Sequence, residues 1–209
     1  MSFNETRLKL VDYYFYLESS FIEITRIIPL ENPNEAFSPR LYEILQSTCS
    51  QVESISKIIS EKLDLQPQEN NFPYIFEKMN ENGLLDKQAV DLFKLPGGKV
   101  MQPLIKTGQH APKWWDEYNA SKHNLPEGYK AGNVGNVPIA LAGLYILHVM
   151  AYYLQYAENN FLNKDHWITI DSISINTNNR EVDSGVAYHG PKSEIFLPLT
   201  HFNERGAPI

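Results

Sequence analysis

Apolar residues along this chain recur mostly at helical spacing. Leu10, Tyr14, Leu17, Phe21, Ile24 and Ile28 come at intervals of 4, 3, 4, 3 and 4, which puts them on one side of a helix expected over about residues 4–30. Pro29, Pro33 and the asparagine and glutamate between them break it. Ser38 followed by Pro39 announces a second helix: a side-chain cap, then a proline at a first-turn position that needs no amide hydrogen. That helix is expected to reach about Leu63, with Leu41, Leu45, Thr48, Val52, Ile55 and Ile59 on its inner side. Two long helices joined by a short break usually pack antiparallel.

From Gln66 to Pro112 the pattern weakens. Asn71-Phe72-Pro73 predicts a short helix ending at Gly83, Asp86 a further one reaching Phe93, and Leu95-Pro96-Gly97-Gly98 a turn. This stretch reads as short helices and loop laid over a bundle. Helical character returns over residues 114–123 and stops at Pro126 and Gly128, with Asn133 and Asn136 placed to cap the last helix. Residues 137–154 then form an apolar run without a formal charge. Its length reaches the lower limit for a membrane span, about 17 residues. A central bundle helix buried on every side is the preferred reading. The run contains Pro138, Gly143 and His148, and no basic cluster flanks it. The other amphipathic helices need a partner, and Ala140, Ala142 and Gly143 permit close approach.

After Asn160 the texture changes. Trp167-Ile168-Thr169-Ile170, Ile173-Ser174-Ile175 and Ile195-Phe196-Leu197 are β-like, and Asn176-Thr177-Asn178-Asn179 and His189-Gly190-Pro191 are turn material. The expected fold is therefore mainly α: a helical bundle over residues 1–160 with a short β-containing C-terminal extension over residues 161–209 packed on it. No internal repeat or low-complexity tract interrupts this division.

Composition narrows the function classes. With 209 residues, 43% hydrophobic and 21% charged, the chain can bury a sizeable core and lies outside the disordered class. A net charge of −7 argues against a surface that coats DNA or an anionic membrane, while leaving room for a local basic site. The single cysteine, Cys49, excludes an intramolecular disulfide and fits a reducing compartment; on an apolar helix it reads as a small buried hydrophobe. No basic, apolar, then small-residue series opens the chain, so no cleaved signal peptide is expected. His148, within the apolar run, reads as a satisfied core histidine. His166, His189 and His201 lack ligand spacing, so no metal site is expected. Gly97-Gly98-Lys99 lacks the leading glycine and the following Ser or Thr of a phosphate loop.

The densest chemistry lies between Lys113 and Asn124, in Lys-Trp-Trp-Asp-Glu-Tyr-Asn-Ala-Ser-Lys-His-Asn. Asn119 and His123 are four apart and share one helix face, on which Trp115 also lies, with Tyr118 beside it. Imidazole exchanges protons near neutral pH, which suits acid–base work. The same pair equally suits a structural role, with His123 near the helix C-terminus interacting favourably with exposed carbonyls. Trp114 and Trp115 fit either base stacking or core packing. Over residues 99–130, Lys99, Lys106, Lys113, Lys122 and Lys130 against Asp116, Glu117 and Glu127 leave a local charge of +2. A nucleic-acid groove usually carries a larger basic excess.

Here the chain resembles the HEPN superfamily, all-α proteins of toxin–antitoxin, abortive-infection and RNA-processing systems. Their hallmark is an arginine followed a few residues later by a histidine, in its shortest form Arg-Asn-x-x-x-His. Asn119 and His123 match, and Tyr118 stands in place of the arginine. Several features resemble a bacterial subfamily of HEPN-like proteins. These are the long aromatic first helix, the Ser-led second helix with Cys49 and Glu53, the Trp-Trp-x-x-Tyr-Asn-x-x-Lys-His box and the Ala-Leu-Ala-Gly-Leu start of the last helix, together spanning about residues 5–158.

The resemblance implies a HEPN-type bundle, a homodimer, RNA as partner, and a metal-independent, cofactor-free endoribonuclease of a bacterial defence or toxin system in the cytoplasm. On that scheme His123 is the acid–base group, Asn119 orients it or the phosphate, and Lys122 replaces the missing cation. Tyr118 can donate a hydrogen bond but supplies no charge. Trp115, Lys113 and Asn124 contact substrate. The alternative is a non-catalytic binding or scaffold protein of the same fold that has lost the nuclease and engages a protein, nucleotide or RNA partner.

Overall fold

The computed structural model describes residues 3–28, 36–85, 89–92, 100–122, 128–159, 175–176, 181–182 and 196–199. That part of the chain is mainly helical: α1 (Phe3–Thr25), α2 (Pro39–Lys62), α3 (Phe72–Glu81), α4 (Lys113–Lys122) and α5 (Asn136–Asn159), with a 3-10 turn at Tyr129–Ala131.

The helix boundaries follow local chemistry. Ser38 caps α2: its hydroxyl accepts from the amide of Leu41 at 3.1 Å, and Pro39 occupies the first turn. Asn71 takes the corresponding place at α3, and that helix ends in Asn82 and Gly83, whose φ of +66° suits a residue without a Cβ. Ahead of α5, the side-chain oxygen of Asn133 accepts from the amides of Gly135 and Asn136 at 2.9 and 2.8 Å. The Asn136 side chain instead donates, to the carbonyl of Ala131 at 3.1 Å and to the carboxylate of Glu117.

The core lies where α1, α2 and α5 meet. Tyr14, Leu17 and Phe21 of α1 are buried, while Leu10, Ile24 and Ile28, expected on the same side, are only partly covered. All six inner positions of α2, from Leu41 to Ile59, are fully buried. Every residue of α5 from Ala140 to Ala151 is buried, which is how a charge-free run reads when protein surrounds it. Among the described residues no helix is long and apolar enough to cross a membrane. Gly143 serves a partner other than a long helix: a Cβ there would press on Trp114 of α4 and on Leu104. Trp114 is further held by its indole N–H, which donates to the carbonyl of Pro103 at 2.8 Å.

His148 departs from expectation. It lies in the core, fully buried with its ring 5.5 Å from that of Tyr14, yet neither ring nitrogen has a hydrogen-bond partner among the described residues. The nearby phenol of Tyr14 is committed to Glu18, to which it donates at 2.7 Å. Burial first, then the charge of Arg7, lowers the His148 pKa to about 3, so the imidazole is neutral.

The helix expected between Asp86 and Phe93 is not formed. Its ends lie outside the described residues, and between them Ala89–Leu92 (β1) is extended, antiparallel to Val100–Met101 (β2). A helix of the expected eight residues is too short to repay nucleation by itself, whereas an extended backbone finds pairing partners on both sides. The second partner of β1 is Phe196–Leu199; a separate antiparallel pair joins Ile175–Asn176 to Glu181–Val182. The other segments read as β-like, including Trp167-Ile168-Thr169-Ile170, lie outside the described residues.

The starts of α2 and α5 are tied together. Ser38 donates its amide to Gly132 at 3.2 Å, Val134 donates to Ala36 at 3.1 Å, and Gly132 lies directly on the backbone of Tyr42. Its φ of −78° makes no demand for glycine, so the requirement is purely one of space. Gly132→Ala is expected to cost about 1–3 kcal/mol through overpacking, seen as a lower denaturant midpoint with unchanged slope. An unaltered midpoint would show that this junction yields freely.

Candidate functional site

Helix α4 carries the segment singled out by sequence. One side of it is committed to the bundle. Trp114 is 3% exposed, and Trp115, also 3% exposed, sits with its ring 4.4 Å from Phe72 of α3 and 5.7 Å from Tyr118. The last turn is pinned to α2: Ser121 donates to the carbonyl of Tyr118 at 2.6 Å, and its hydroxyl lies 3.0 Å from that of Tyr42. The first turn is pinned to the preceding loop, because the carboxylate of Asp116 accepts from the amides of Gln109 and His110 at 2.5 and 3.3 Å.

The other side of α4 borders a cleft of about 740 Å³, within the size range of small-ligand sites. Trp115, Asp116, Asn119 and Lys122 line it from α4, Glu53 from α2, Tyr74 and Glu77 from α3, and Lys106 and His110 from the loop before α4. The rise of about 1.5 Å per residue separates Asp116 from Lys122 along this α4 wall by roughly 9 Å. Glu53 is already engaged with Lys57 at 2.7 Å. Among the described residues Lys106, Lys122 and Glu77 make no ion pair, and the Asn119 side chain makes no hydrogen bond.

Of the residues expected to carry chemistry, Trp115, Asn119 and Lys122 thus meet in one cleft. Trp115 supplies part of its wall, but both the burial and the flanking rings leave no open face for a stacked base. Lys113 does not line the cleft; its side chain is 71% exposed and pairs with Glu117 at 3.4 Å. His123 and Asn124 lie outside the described residues. Tyr118 is 8% exposed and does not line the cleft either. Burial, followed by the neighbouring Cys49, Tyr42 and Glu53, pushes its phenol up to about 12, so it stays protonated at neutral pH. Its ring carries the ammonium of Lys122, 4.2 Å from the ring centroid.

Cys49 is fully buried. Desolvation raises its pKa well above the ordinary thiol value, against a lesser opposing pull from Lys122. It is therefore not a nucleophile in this state. Among the described residues no group of three or more His, Cys, Asp and Glu is arranged to hold a metal ion.

Sequence reasoning passed over Tyr74 and Glu77 and weighed Lys106 and His110 only towards local charge; all four reach the cleft through the packing of α3 and the 106–110 loop on α4. It also passed over the spacing of four between Tyr118 and Lys122, a signal that was present in the sequence. Comparison of the chain with protein-family models, with curated proteins and with solved structures finds no match.

Proposed function

We propose that the protein is a HEPN-like RNA-binding protein that acts as a metal-independent endoribonuclease, with the cleft along α4 as its RNA site. The observation that supports this reading is the meeting of Asn119 and Lys122 on one wall, with Lys106 lining the same cleft and no ion pair on either lysine among the described residues. Lysine lacks the bidentate fork of arginine but supplies a point charge for a phosphate. In the scheme carried over from the resemblance, His123, four residues after Asn119 in the sequence, exchanges the proton of the 2′-hydroxyl or of the leaving oxygen. The proposal extends to a HEPN-type bundle over residues 1–160, a strand-bearing extension over residues 161–209, a homodimer, and a place in the cytoplasm within a bacterial defence or toxin system.

The carboxylates of Glu53, Glu77 and Asp116 in the same cleft favour a second reading. Three acids against two lysines disfavour a polyanion, and a bundle that binds a partner without turnover would need no further cation. Incubation of the purified protein with end-labelled structured RNAs in the presence of chelator separates the two. Products with cyclic phosphate ends are expected from the first. RNA bound but left intact would move the assignment to the second, and neither binding nor cleavage across a broad panel would end the RNA reading.

A further inference from the structure

Lys122 lies on the last turn of a short helix, where long cationic side chains ordinarily sample many rotamers. Here it has a seat. Tyr118 lies one helical turn before it, and the Lys122 ammonium sits 4.2 Å from the centroid of the Tyr118 ring, well within the range of about 6 Å over which a ring face attracts a cation. The seat is rigid. Tyr118 is nearly buried, and the Trp115 ring packs on it at 5.7 Å and 65°. Trp115 in turn abuts Phe72 of α3. Ser121 fixes the intervening backbone by donating to the Tyr118 carbonyl and meeting Tyr42. No carboxylate competes: among the described residues Lys122 forms no ion pair. Lys122 lines the cleft and Tyr118 does not.

We infer that Tyr118 is a positioning residue whose ring holds the Lys122 ammonium on the cleft wall, where it meets an anionic oxygen of the bound RNA, and that Tyr118 does not itself touch the ligand. This rests on reading the cleft as an RNA site. The ring is the working part of Tyr118, and its hydroxyl is dispensable. The side chain at this position contributes to binding only through the lysine four residues on.

The test compares full-length wild type, Tyr118→Phe, Tyr118→Leu, Lys122→Met and the double variant Tyr118→Leu/Lys122→Met, with helical content checked by circular dichroism. RNA affinity is read by fluorescence anisotropy over a range of salt concentrations. Lys122→Met is expected to weaken binding and to reduce the salt slope by about one. Tyr118→Leu should weaken binding roughly two- to fivefold, Tyr118→Phe should restore wild-type affinity, and Tyr118→Leu should add nothing once Lys122 is already Met.

A loss from Tyr118→Leu that persists in the Lys122→Met background overturns the inference while leaving the RNA site standing, as does a loss from Tyr118→Phe equal to that from Tyr118→Leu. If wild type binds no RNA, the RNA reading fails by itself, and the positioning role is read directly by NMR. The ε-methylene protons of Lys122 should then be shifted upfield by the ring in wild type and in Tyr118→Phe. An unshifted signal in wild type overturns the inference even if Tyr118→Leu fails to fold.

Discussion

Replacing His148 by leucine is expected to stabilise the fold by about 1–3 kcal/mol at neutral pH and to widen its advantage over wild type as the solution is acidified. The imidazole is fully buried and neither of its nitrogens finds a partner among the described residues. The protein therefore bears the desolvation cost of a polar group without the compensating hydrogen bonds. Leucine is close to it in volume and carries no polar atom, so the cavity cost of a smaller residue and the strain of a larger one are both avoided.

The pH dependence has a definite sign. An unfolded histidine takes up a proton near 6.5, whereas the folded one does so only near 3. Between those values the unfolded chain binds more protons, so stability falls as pH falls from about 6.5 towards 3 and levels off below that. Each unit within the window is worth about 1.4 kcal/mol. At pH 4 the wild type therefore carries a penalty of order 3 kcal/mol that the leucine variant lacks. Carboxylates titrate in both proteins, so their contribution cancels in the difference. Urea denaturation of the two proteins at pH 7, 5 and 4 gives that difference directly. Curves that stay parallel down to pH 4 would mean that His148 takes up its proton in the folded protein as readily as in the unfolded chain.

His123→Ala is expected to lower the rate of RNA cleavage by about 10²–10⁴-fold, the range for a positioned general acid or base, and to leave RNA affinity and helical content nearly unchanged. Position 123 follows Asn119 by four residues in the sequence, and Asn119 lines the cleft. On the proposed reading binding rests on the lysines of the cleft, so removing the imidazole should act on turnover rather than on affinity. Lys122→Met should do the reverse, losing affinity first. In bacteria, toxicity of the overexpressed wild type should be relieved by His123→Ala. Full cleavage by a folded His123→Ala protein would remove this histidine from the mechanism. Equal loss of binding and cleavage would point instead to a structural role for this residue.

Much of the fold was legible because its signals are local. Ser38-Pro39 and Asn71-Phe72-Pro73 place a side-chain acceptor and an amide-free proline where helices α2 and α3 begin, and a backbone answers such signals without consulting distant residues. The 3.6-residue period of α2 survives intact, because one side of that helix faces the core along its whole length. α1 keeps the period only in its middle, from Tyr14 to Phe21, where α2 and α5 both cover it. The charge-free run of α5 was ambiguous by itself between lipid and protein surroundings, and neighbouring helices resolved it.

The cleft and its tuning belong to the tertiary structure. Local sequence determined that Asn119 and Lys122 lie on or beside one face of α4, because spacing on a helix is a property of the helix alone. It did not determine that Trp115 would be covered by Phe72, that Asp116 would be spent on the amides of Gln109 and His110, or that Glu53 and Glu77 would share the cleft with the lysines. Each of these depends on how separate segments of the chain pack together. The same holds for His148: its place in an apolar run announced burial, but whether a hydrogen-bond partner would reach it depended on how α1 packs and on Tyr14 donating to Glu18 instead. Residue type and spacing decide what a side chain is able to do, and the packing of distant segments decides which of those abilities is left available.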